Sequence, residues 1–420
     1  MREVQPKIRG VRGAPDILPA DAGRWQRVED EARRVLHNYG YEEIRTPIFE
    51  RTELFVRGIG EGTDIVDKQM YTFQDRGNES LTLRPEGTAP VIRACLEHRL
   101  FTKGGLAKIY YIGPMFRHER PQAGRFRQFH QIGAEAIGVE DPALDAEVLD
   151  LLSHLFDTLG LRGVQLQLNS IGDEACRPIF RERFTQYMRG KRDGLCRDCL
   201  VRLERNPLRI LDCKEEGCRR LVARAPHPLE SLCEDCETHF RGLRELLAHL
   251  KIDYGVNERL VRGLDYYTRT TFEFVNPALG AQNAIAGGGR YDRLVAEMGG
   301  PPTPGIGFAI GMERLLISLP PVGPREEWTG VFAATLGNEA FQLGLRIVQE
   351  IRRQGLRAGL DLEGRSLKSQ MRLAHKERYR YVLILGEDEL KDGLATLKDM
   401  AEGGQEQVPL RELVDRLVKG

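Results

Sequence analysis

An α+β domain containing a long antiparallel hairpin, interrupted by a helical insertion and followed by a separate α/β domain, is the architecture this 420-residue sequence predicts. Three observations carry that reading. Residues 107 to 138 form two extended stretches around RPQAG, whose proline and glycine lie where a hairpin loop needs them. Residues 174 to 250 are charged, mostly helical in pattern and rich in cysteine, which sets them apart from the β pattern on either side. Beyond residue 330 strands and helices alternate: VFAATLG, a helix over 338 to 354, LRAGLDL, a helix over 366 to 378, then YVLILG. This βαβαβ succession defines a unit of about 90 residues, a normal domain size.

The remaining elements follow in order. A first helix is expected from Asp21 to Tyr39, with Asp21 as N-cap, Trp25, Val28, Ala32, Val35 and Leu36 at helical spacing, and Gly40 as terminator. EEIRTPIFE reads as a strand, but Pro47 confines it to an edge or an interface. SLTLR, residues 80 to 84, is another strand, and Pro85 then opens a helix that ends before TKGG. A helix over 142 to 159 and the strand VQLQLNSIG precede the insertion. After it the β pattern resumes at RLVRGLDYYTRTTFEFV, passes AGGGRYD, and closes with GIGFAIGMERLLISL, a strand running into a helix. The composition of PPVGPREEWTG marks a linker, 321 to 329, so the domains are 1–320, interrupted by 174–250, and 330–420.

Composition excludes several classes. Lys plus Arg equals Asp plus Glu at 62 each, so the whole chain is no polycation and any nucleic-acid contact must come from local patches. No run approaches the ~20 apolar residues of a membrane span, and MREVQPKIRG lacks the apolar stretch of a secretory signal. A cytoplasmic location without membrane contact is therefore expected.

The hairpin concentrates charge. Arg117, Arg120, Arg125 and Arg127 crowd together with His118 and His130. Because strand side chains alternate, Arg127, Phe129, Gln131, Gly133 and Glu135 share one face, while Phe126, His130, Ile132 and Ala134 share the other. A face bearing cation, aromatic ring, amide, open space and carboxylate suits a small amphoteric ligand with a flat ring nearby. Arg117 and Glu119 share a side of the outgoing strand, and arginine grips phosphate oxygens bidentately. The charges alone would equally suit a solvated strand edge protected from aggregation.

These residues resemble a known family. GPMFRHERPQAGRFRQFHQIGAEAIG, residues 113 to 138, is similar to motif 2 of the class II aminoacyl-tRNA synthetases. GYEEIRTPIFE resembles motif 1, with its proline at Pro47, and GIGFAIGMERLL resembles motif 3, with Arg314. LVRGLDYYTRTTFEFV and AGGGRYD are similar to signature segments of histidyl-tRNA synthetases, and TLRPEGTAP to their amino-acid-binding loop. The likeness extends from IRGVRGAPDILP to the end of the chain and is weakest in the insertion. It implies a catalytic domain built on an antiparallel sheet and a C-terminal anticodon-binding domain. The implied reaction joins L-histidine to ATP as an adenylate and then transfers it to the 3′ end of a tRNA, by a homodimer held through the motif 1 region.

The resemblance also assigns residues. Arg117, Arg262 and Gln131 are the implied catalytic groups; Arg117 holds the α-phosphate and carboxylate, with Arg262 as the second cation. Phe129 stacks on adenine, and Arg314 covers the other face of that ring or reaches the γ-phosphate. Mg²⁺ bridges the outer phosphates with Glu119 as a helper. Glu86, Gly87 and Thr88 receive the histidine ammonium. Glu135 and Tyr267 read its ring nitrogens, and Tyr266 and Tyr291 wall the pocket. Glu86 also has a plainer reading as a helix N-terminal carboxylate, and Tyr291 as packing. Arg120, Gln122, Arg125 and Arg127 face the tRNA acceptor end. Residues 352 to 380 hold nine Lys or Arg against three Asp or Glu, much of it on one helix, in the domain implied to read the anticodon.

Six of the eight cysteines lie between Cys196 and Cys236. The C-x-x-C pairs Cys196/Cys199 and Cys233/Cys236 have a pattern that suits one tetrahedral structural Zn²⁺, which the family likeness does not imply. Reduced thiols in a helical insertion are the other reading, and Cys95 and Cys176 read as small apolar residues. Three rival functions are a regulatory subunit of ATP phosphoribosyltransferase that shares the fold, a tRNA-binding module without turnover, and a synthetase for another amino acid with this type of C-terminal domain, against which the Glu135 and Tyr267 pair argues. The first typically lacks the second domain and the RGLDYY arginine, both present here, and the second predicts gaps among Arg117, Arg262 and Arg314.

Overall fold

A computed structural model describes residues 8–100, 105–122, 124–320 and 328–419. The chain forms two compact units, Met1–Pro320 and Pro321–Gly420. Residues 321 to 327 of the expected linker and Ala123 of the hairpin loop lie outside the described residues.

The first helix spans Pro19–Asn38 and starts before Asp21. Proline has no N–H to lose at the first helical position, so Pro19 opens the helix after Leu18, and Asp21 becomes a first-turn carboxylate facing the positive helix end. Val28, Ala32, Val35 and Leu36 are buried as their spacing requires. Pro47 divides the expected strand EEIRTPIFE in two. Glu42–Glu43 pairs parallel with Ala107–Phe116 at the edge of the main sheet, whereas Phe49–Arg51 joins Ser80–Leu83 and Tyr71–Gln74 in a separate three-stranded sheet.

The main sheet has eight strands in the order Glu42–Glu43, Ala107–Phe116, Gln128–Ile137, Gly305–Gly311, Ala284–Arg290, Thr268–Val275, Gln165–Ser170, Tyr254–Val256. The six central strands are antiparallel and the two outermost pairings are parallel. Alternation sends Ile132, Ala134, Phe272, Phe274, Ile306, Phe308 and Ile310 into a core with helices Pro19–Asn38, Pro142–Thr158 and Glu234–Leu250. The opposite face carries Tyr111, Met115 and Phe129. Of RLVRGLDYYTRTTFEFV, only Thr268–Val275 is strand; residues 262 to 267 run as a loop.

A buried ionic network in this unit is centred on Arg290 and Asp145. Arg290 is wholly inaccessible, and its Nη1 donates to Asp145 Oδ1 at 2.5 Å and its Nη2 to the Val139 carbonyl at 2.8 Å. His239 Nε2 meets the other Asp145 oxygen at 2.9 Å. Because His239 belongs to the last helix of the insertion, this network fastens the insertion to the sheet's helical layer.

The insertion holds helices Arg177–Arg189, Arg197–Arg205, Glu216–Val222 and Glu234–Leu250. Phe180, Phe184, Met188, Leu203 and Ile210 give it a small core of its own. The expected four-cysteine set is not one site. Cys196 and Cys199 gather with Cys213 and Cys218, whereas Cys233 and Cys236 gather with Asp173 and Cys176, so each C-x-x-C has its own partners. Cys176 is buried, as a small apolar residue would be, and its sulfur joins the second set. Folding of the intervening helices decides this grouping, which linear spacing does not express.

The second unit has a five-stranded sheet. Ala358–Leu360, Val331–Thr335 and Tyr381–Leu385 are parallel, joined by helices Asn338–Arg353 and Leu367–Lys376. Leu394–Asp399 and Gln405–Pro409 continue the sheet antiparallel, two strands beyond the expected βαβαβ pattern. Among the described residues, no helix is long and apolar enough to cross a membrane.

Candidate active site

The hairpin supplies the floor of the site. Ala107–Phe116 and Gln128–Ile137 pair with Ile109 opposite Glu135, Tyr111 opposite Gly133 and Gly113 opposite Gln131, which puts these odd-numbered side chains on the face away from the main core. Glu135 is fully buried. Its Oε2 accepts from the Tyr291 hydroxyl at 2.6 Å and its Oε1 from the Thr88 hydroxyl at 2.7 Å. Burial pushes its carboxyl up to about 8, against the lowering effect of those two bonds. A Cβ on Gly307 would lie 1.8 Å from Glu135 Oε2, so the neighbouring strand must carry glycine there for the carboxylate to fit.

Glu86 plays the plain role its position suggested, at least in part. It accepts from the backbone N–H groups of Thr88 and Ala89 at 2.7 and 2.9 Å, capping helix Thr88–Glu97, in which Gly87 is the preceding residue. Its pKa is raised by burial, since the helix N–H bonds do not fully offset the loss of water. Gln131 Oε1 and the Tyr266 hydroxyl are buried without a hydrogen-bond partner. Unpaired polar atoms of this kind, next to two buried carboxylates, are unusual in a core and suit a polar ligand.

The three tyrosines differ in what they touch. The Tyr266 ring lies tilted at 4.7 Å from that of Tyr267 and edge-on at 5.9 Å from that of Tyr291. Tyr267 packs against Tyr266, while Tyr291 takes the direct bond to Glu135. Tyr291 is therefore polar machinery as well as wall.

Arginines from three segments meet beside this pocket. Arg117 Nε donates to the Pro85 carbonyl at 2.8 Å, and its guanidinium lies 5.2 Å from the Phe129 ring centre. Arg262 lies in an ion pair with Glu273 on strand Thr268–Val275, a partner that the sequence did not single out although it occupies the site-facing phase of its strand. A Cβ on Gly287 would sit 2.6 Å from the Arg262 guanidinium carbon, so the glycine cluster of AGGGRYD makes room for this side chain. Arg314 donates from Nε to the Gly124 carbonyl at 3.0 Å and from Nη1 to that of Ala284 at 2.9 Å, tying the hairpin loop to the sheet. Burial pulls Arg117 and Arg314 below the usual guanidinium range; Arg262 pushes Arg117 the same way, and Arg125 and Arg117 do so for Arg314. In Arg262 burial is outweighed by Glu273, and the net shift is upward. Arg117 is thus within electrostatic reach of both Arg262 and Arg314, a costly arrangement that an anion relieves.

At the loop, Glu119 lies 3.3 Å from Arg125 Nη1. Its Oε2 nonetheless holds no hydrogen bond. The Arg127 N–H donates to the Gly13 carbonyl at 2.6 Å, and its Nε donates to the Glu119 carbonyl at 3.4 Å. Gln122 and Arg125 pair through their backbones, and Arg120 and Gln122 are exposed. In the second unit, Lys368, Arg372 and His375 of helix Leu367–Lys376 line a shallow depression with Lys398.

Comparison with known proteins follows this geometry. A family described as histidyl-tRNA synthetase matches residues 13–173 and 208–315, and one described as an anticodon binding domain matches 331–420. A histidine–tRNA ligase of Syntrophotalea carbinolica is 52% identical over 412 residues, 98% of each chain, and one of Desulfitobacterium hafniense 50% identical over 408 residues, 96% of each. The crystal structure of apo S. aureus histidyl-tRNA synthetase superposes with a TM-score of 0.82 at 35% identity, covering 98% of this chain and 100% of that one. A Bacillus halodurans structure titled ATP phosphoribosyltransferase regulatory subunit/histidyl-tRNA synthetase, at 21% identity and TM-score 0.65, shares the fold alone. With half of all positions identical across nearly the whole length of these relatives, the chain belongs to the histidyl-tRNA synthetase family.

Proposed function

We infer that this chain ligates histidine to its tRNA, in two steps. A histidine carboxylate oxygen forms a bond to the α-phosphorus of ATP as the bond to the leaving diphosphate breaks. The hydroxyl of the terminal tRNA ribose then attacks the histidyl carbonyl, losing its proton as AMP departs. What supports the reading is the pairing of a buried, doubly held Glu135 with Arg117, which lies over Phe129 on the same sheet face.

Arg117 and Arg262 hold the α-phosphate, where negative charge builds up, and fixed cations away from bulk water act strongly there. Phe129 stacks on adenine, with Arg314 on its far face or at the γ-phosphate. Glu86, Gly87 and Thr88 receive the ammonium and Gln131 orients the amino acid towards the phosphate. Glu135 accepts an imidazole N–H, with Tyr291 and Thr88 holding it in place and Tyr266 and Tyr267 closing the pocket. An amino acid without ring nitrogens gives up the bond to the buried Glu135, which is then left with Tyr291 and Thr88 alone, and the loss of a buried polar contact is how a hydrogen-bonding site rejects isosteres. Glu119, whose Oε2 is ion-paired with Arg125 but holds no hydrogen bond, and Glu273 are the carboxylates that would hold Mg²⁺, which when bound would screen the outer phosphates.

Arg120, Gln122, Arg125 and Arg127 meet the tRNA acceptor end, and the basic depression around Lys368 and Arg372 meets the anticodon region. The chain works in the cytoplasm as a homodimer through the segment around Pro47; a stable monomer by light scattering contradicts that assembly. The decisive measurement is ATP–pyrophosphate exchange with each amino acid in turn. Exchange with histidine alone is expected, falling about a hundredfold or more in Arg262→Ala. Exchange with a different amino acid, or an unaffected variant, rejects the assignment.

A further inference from the structure

We propose that the insertion binds two Zn²⁺ ions, one held by Cys196, Cys199, Cys213 and Cys218, the other by Asp173, Cys176, Cys233 and Cys236. In each set four ligand atoms, one per residue, lie within 4.8 Å of one another. All eight cysteines of the chain are free thiols, so no disulfide accounts for either cluster.

The distances are those of a metal tetrahedron. Bonds of about 2.3 Å from zinc to sulfur place two sulfurs about 3.8 Å apart, and a sulfur about 3.6 Å from a carboxylate oxygen. Cys196 Sγ and Cys213 Sγ are 3.8 Å apart, as are Cys176 Sγ and Cys236 Sγ. Asp173 Oδ1 lies 3.5 Å from Cys176 Sγ and 3.7 Å from Cys233 Sγ. Four thiolates in the first set, or three thiolates and a carboxylate in the second, fill a tetrahedron without an open corner as in a closed structural site, and sulfur-rich tetrahedral sets select zinc or iron over magnesium and calcium.

The surroundings fit thiolate rather than thiol. The Cys196 N–H donates to Cys218 Sγ at 3.2 Å, and the Asp173 N–H to Cys176 Sγ at 3.3 Å. Such bonds orient metal-bound sulfur and spread its charge. Each loaded site carries net charge −2, from four anionic ligands on a dication, and each has a cation at hand. Arg202 lies one turn beyond Cys199 on helix Arg197–Arg205, and Arg269 Nη2 is 3.7 Å from Asp173 Oδ2. Gly172 completes the second site, since a Cβ there would meet Cys176 Sγ at 2.4 Å.

Position in the fold gives the two ions distinct tasks. Asp173 and Cys176 follow strand Gln165–Ser170, where the chain leaves the sheet; Cys233 and Cys236 open helix Glu234–Leu250, which brings it back. The second ion therefore clips the root of the insertion. The first joins residues on either side of Pro207–Ile210, the turn from which Arg209 Nη1 donates to the Arg262 carbonyl at 3.2 Å and Asn206 Nδ2 to Asp265 at 2.9 Å. That ion stiffens the surface on which the Arg262 loop rests.

Metal content decides the matter without reference to catalysis. The full chain, purified under reducing conditions without chelator, is analysed by plasma mass spectrometry and native thiol titration. Two zinc ions per chain are expected, falling to one in Cys213→Ser, to one in Cys233→Ser and to none in the double variant, with Cys95→Ser unchanged at two. Zinc unchanged in Cys213→Ser, iron in place of zinc, or no metal with reactive thiols throughout overturns the proposal. Should a variant fail to fold, Co²⁺ replacement in the wild type serves instead: intense tetrahedral d–d bands with sulfur charge transfer at two equivalents support it, and their absence refutes it.

Discussion

The Tyr291 hydroxyl and the Glu135 carboxylate form a 2.6 Å hydrogen bond inside the pocket. AGGGRYD ends on Tyr291 and Asp292, and the hairpin carries Glu135, so two segments 156 residues apart meet at one oxygen. With Thr88 on the other oxygen, the carboxylate is fixed before any ligand arrives. Tyr291→Phe removes one of these bonds and keeps the ring packing. A bond to a carboxylate contributes about 1.5–3 kcal/mol, so the KM for histidine in pyrophosphate exchange rises roughly tenfold to a hundredfold, with a smaller effect on that for ATP.

The same carboxylate makes stability depend on pH. Its folded pKa of about 8 lies above the ordinary carboxyl value of 4.5, chiefly through burial. The folded chain therefore binds the proton more tightly than the unfolded chain. This contribution is complete below about 4.5 and is lost as pH rises through about 8. In the ligand-free protein, the midpoint temperature of wild type falls relative to that of Glu135→Gln across this window. Parallel curves for the two proteins would remove Glu135 as the source.

Space under Glu135 is as necessary as its partners. Gly307→Ala places a methyl group 1.8 Å from Oε2 and displaces the carboxylate. Histidine binding by calorimetry is expected to fall by at least tenfold, in line with the loss of about 1.4 kcal/mol or more that overpacking produces. Circular dichroism should remain that of the wild type.

Asp145 tests the buried ionic group. Its pKa is held below the usual carboxylate range: burial acts to raise it, and Arg290 and His239 together outweigh that effect. Asp145→Ala leaves the Arg290 guanidinium charged and buried beside only one carboxylate, Asp292. A loss of about 3–5 kcal/mol in urea unfolding of the first unit is expected, the cost of breaking a buried pair by deleting one member.

The sequence by itself determined the helices, the hairpin and its alternation, because periodicity and turn chemistry are local. It also determined which face of Gln128–Ile137 bears Phe129, Gln131 and Glu135, since side chains on a strand must alternate. Family likeness then singled out Arg117, Arg262 and Arg314. Contacts between distant segments were decided only by the tertiary structure. Pro47 broke one expected strand into members of two sheets because a residue lacking a donor and locked in φ is readily placed between ladders. Tyr291, rather than Tyr267, bonds Glu135, and Glu273 pairs with Arg262, because the pairing of Ala284–Arg290 with both Thr268–Val275 and Gly305–Gly311 places those side chains around the hairpin. The cysteines make the point most plainly. Spacing joined Cys196 and Cys199 to Cys233 and Cys236, but helices of fixed rise carry the two pairs to separate places, where Cys213 and Cys218, or Asp173 and Cys176, complete each set.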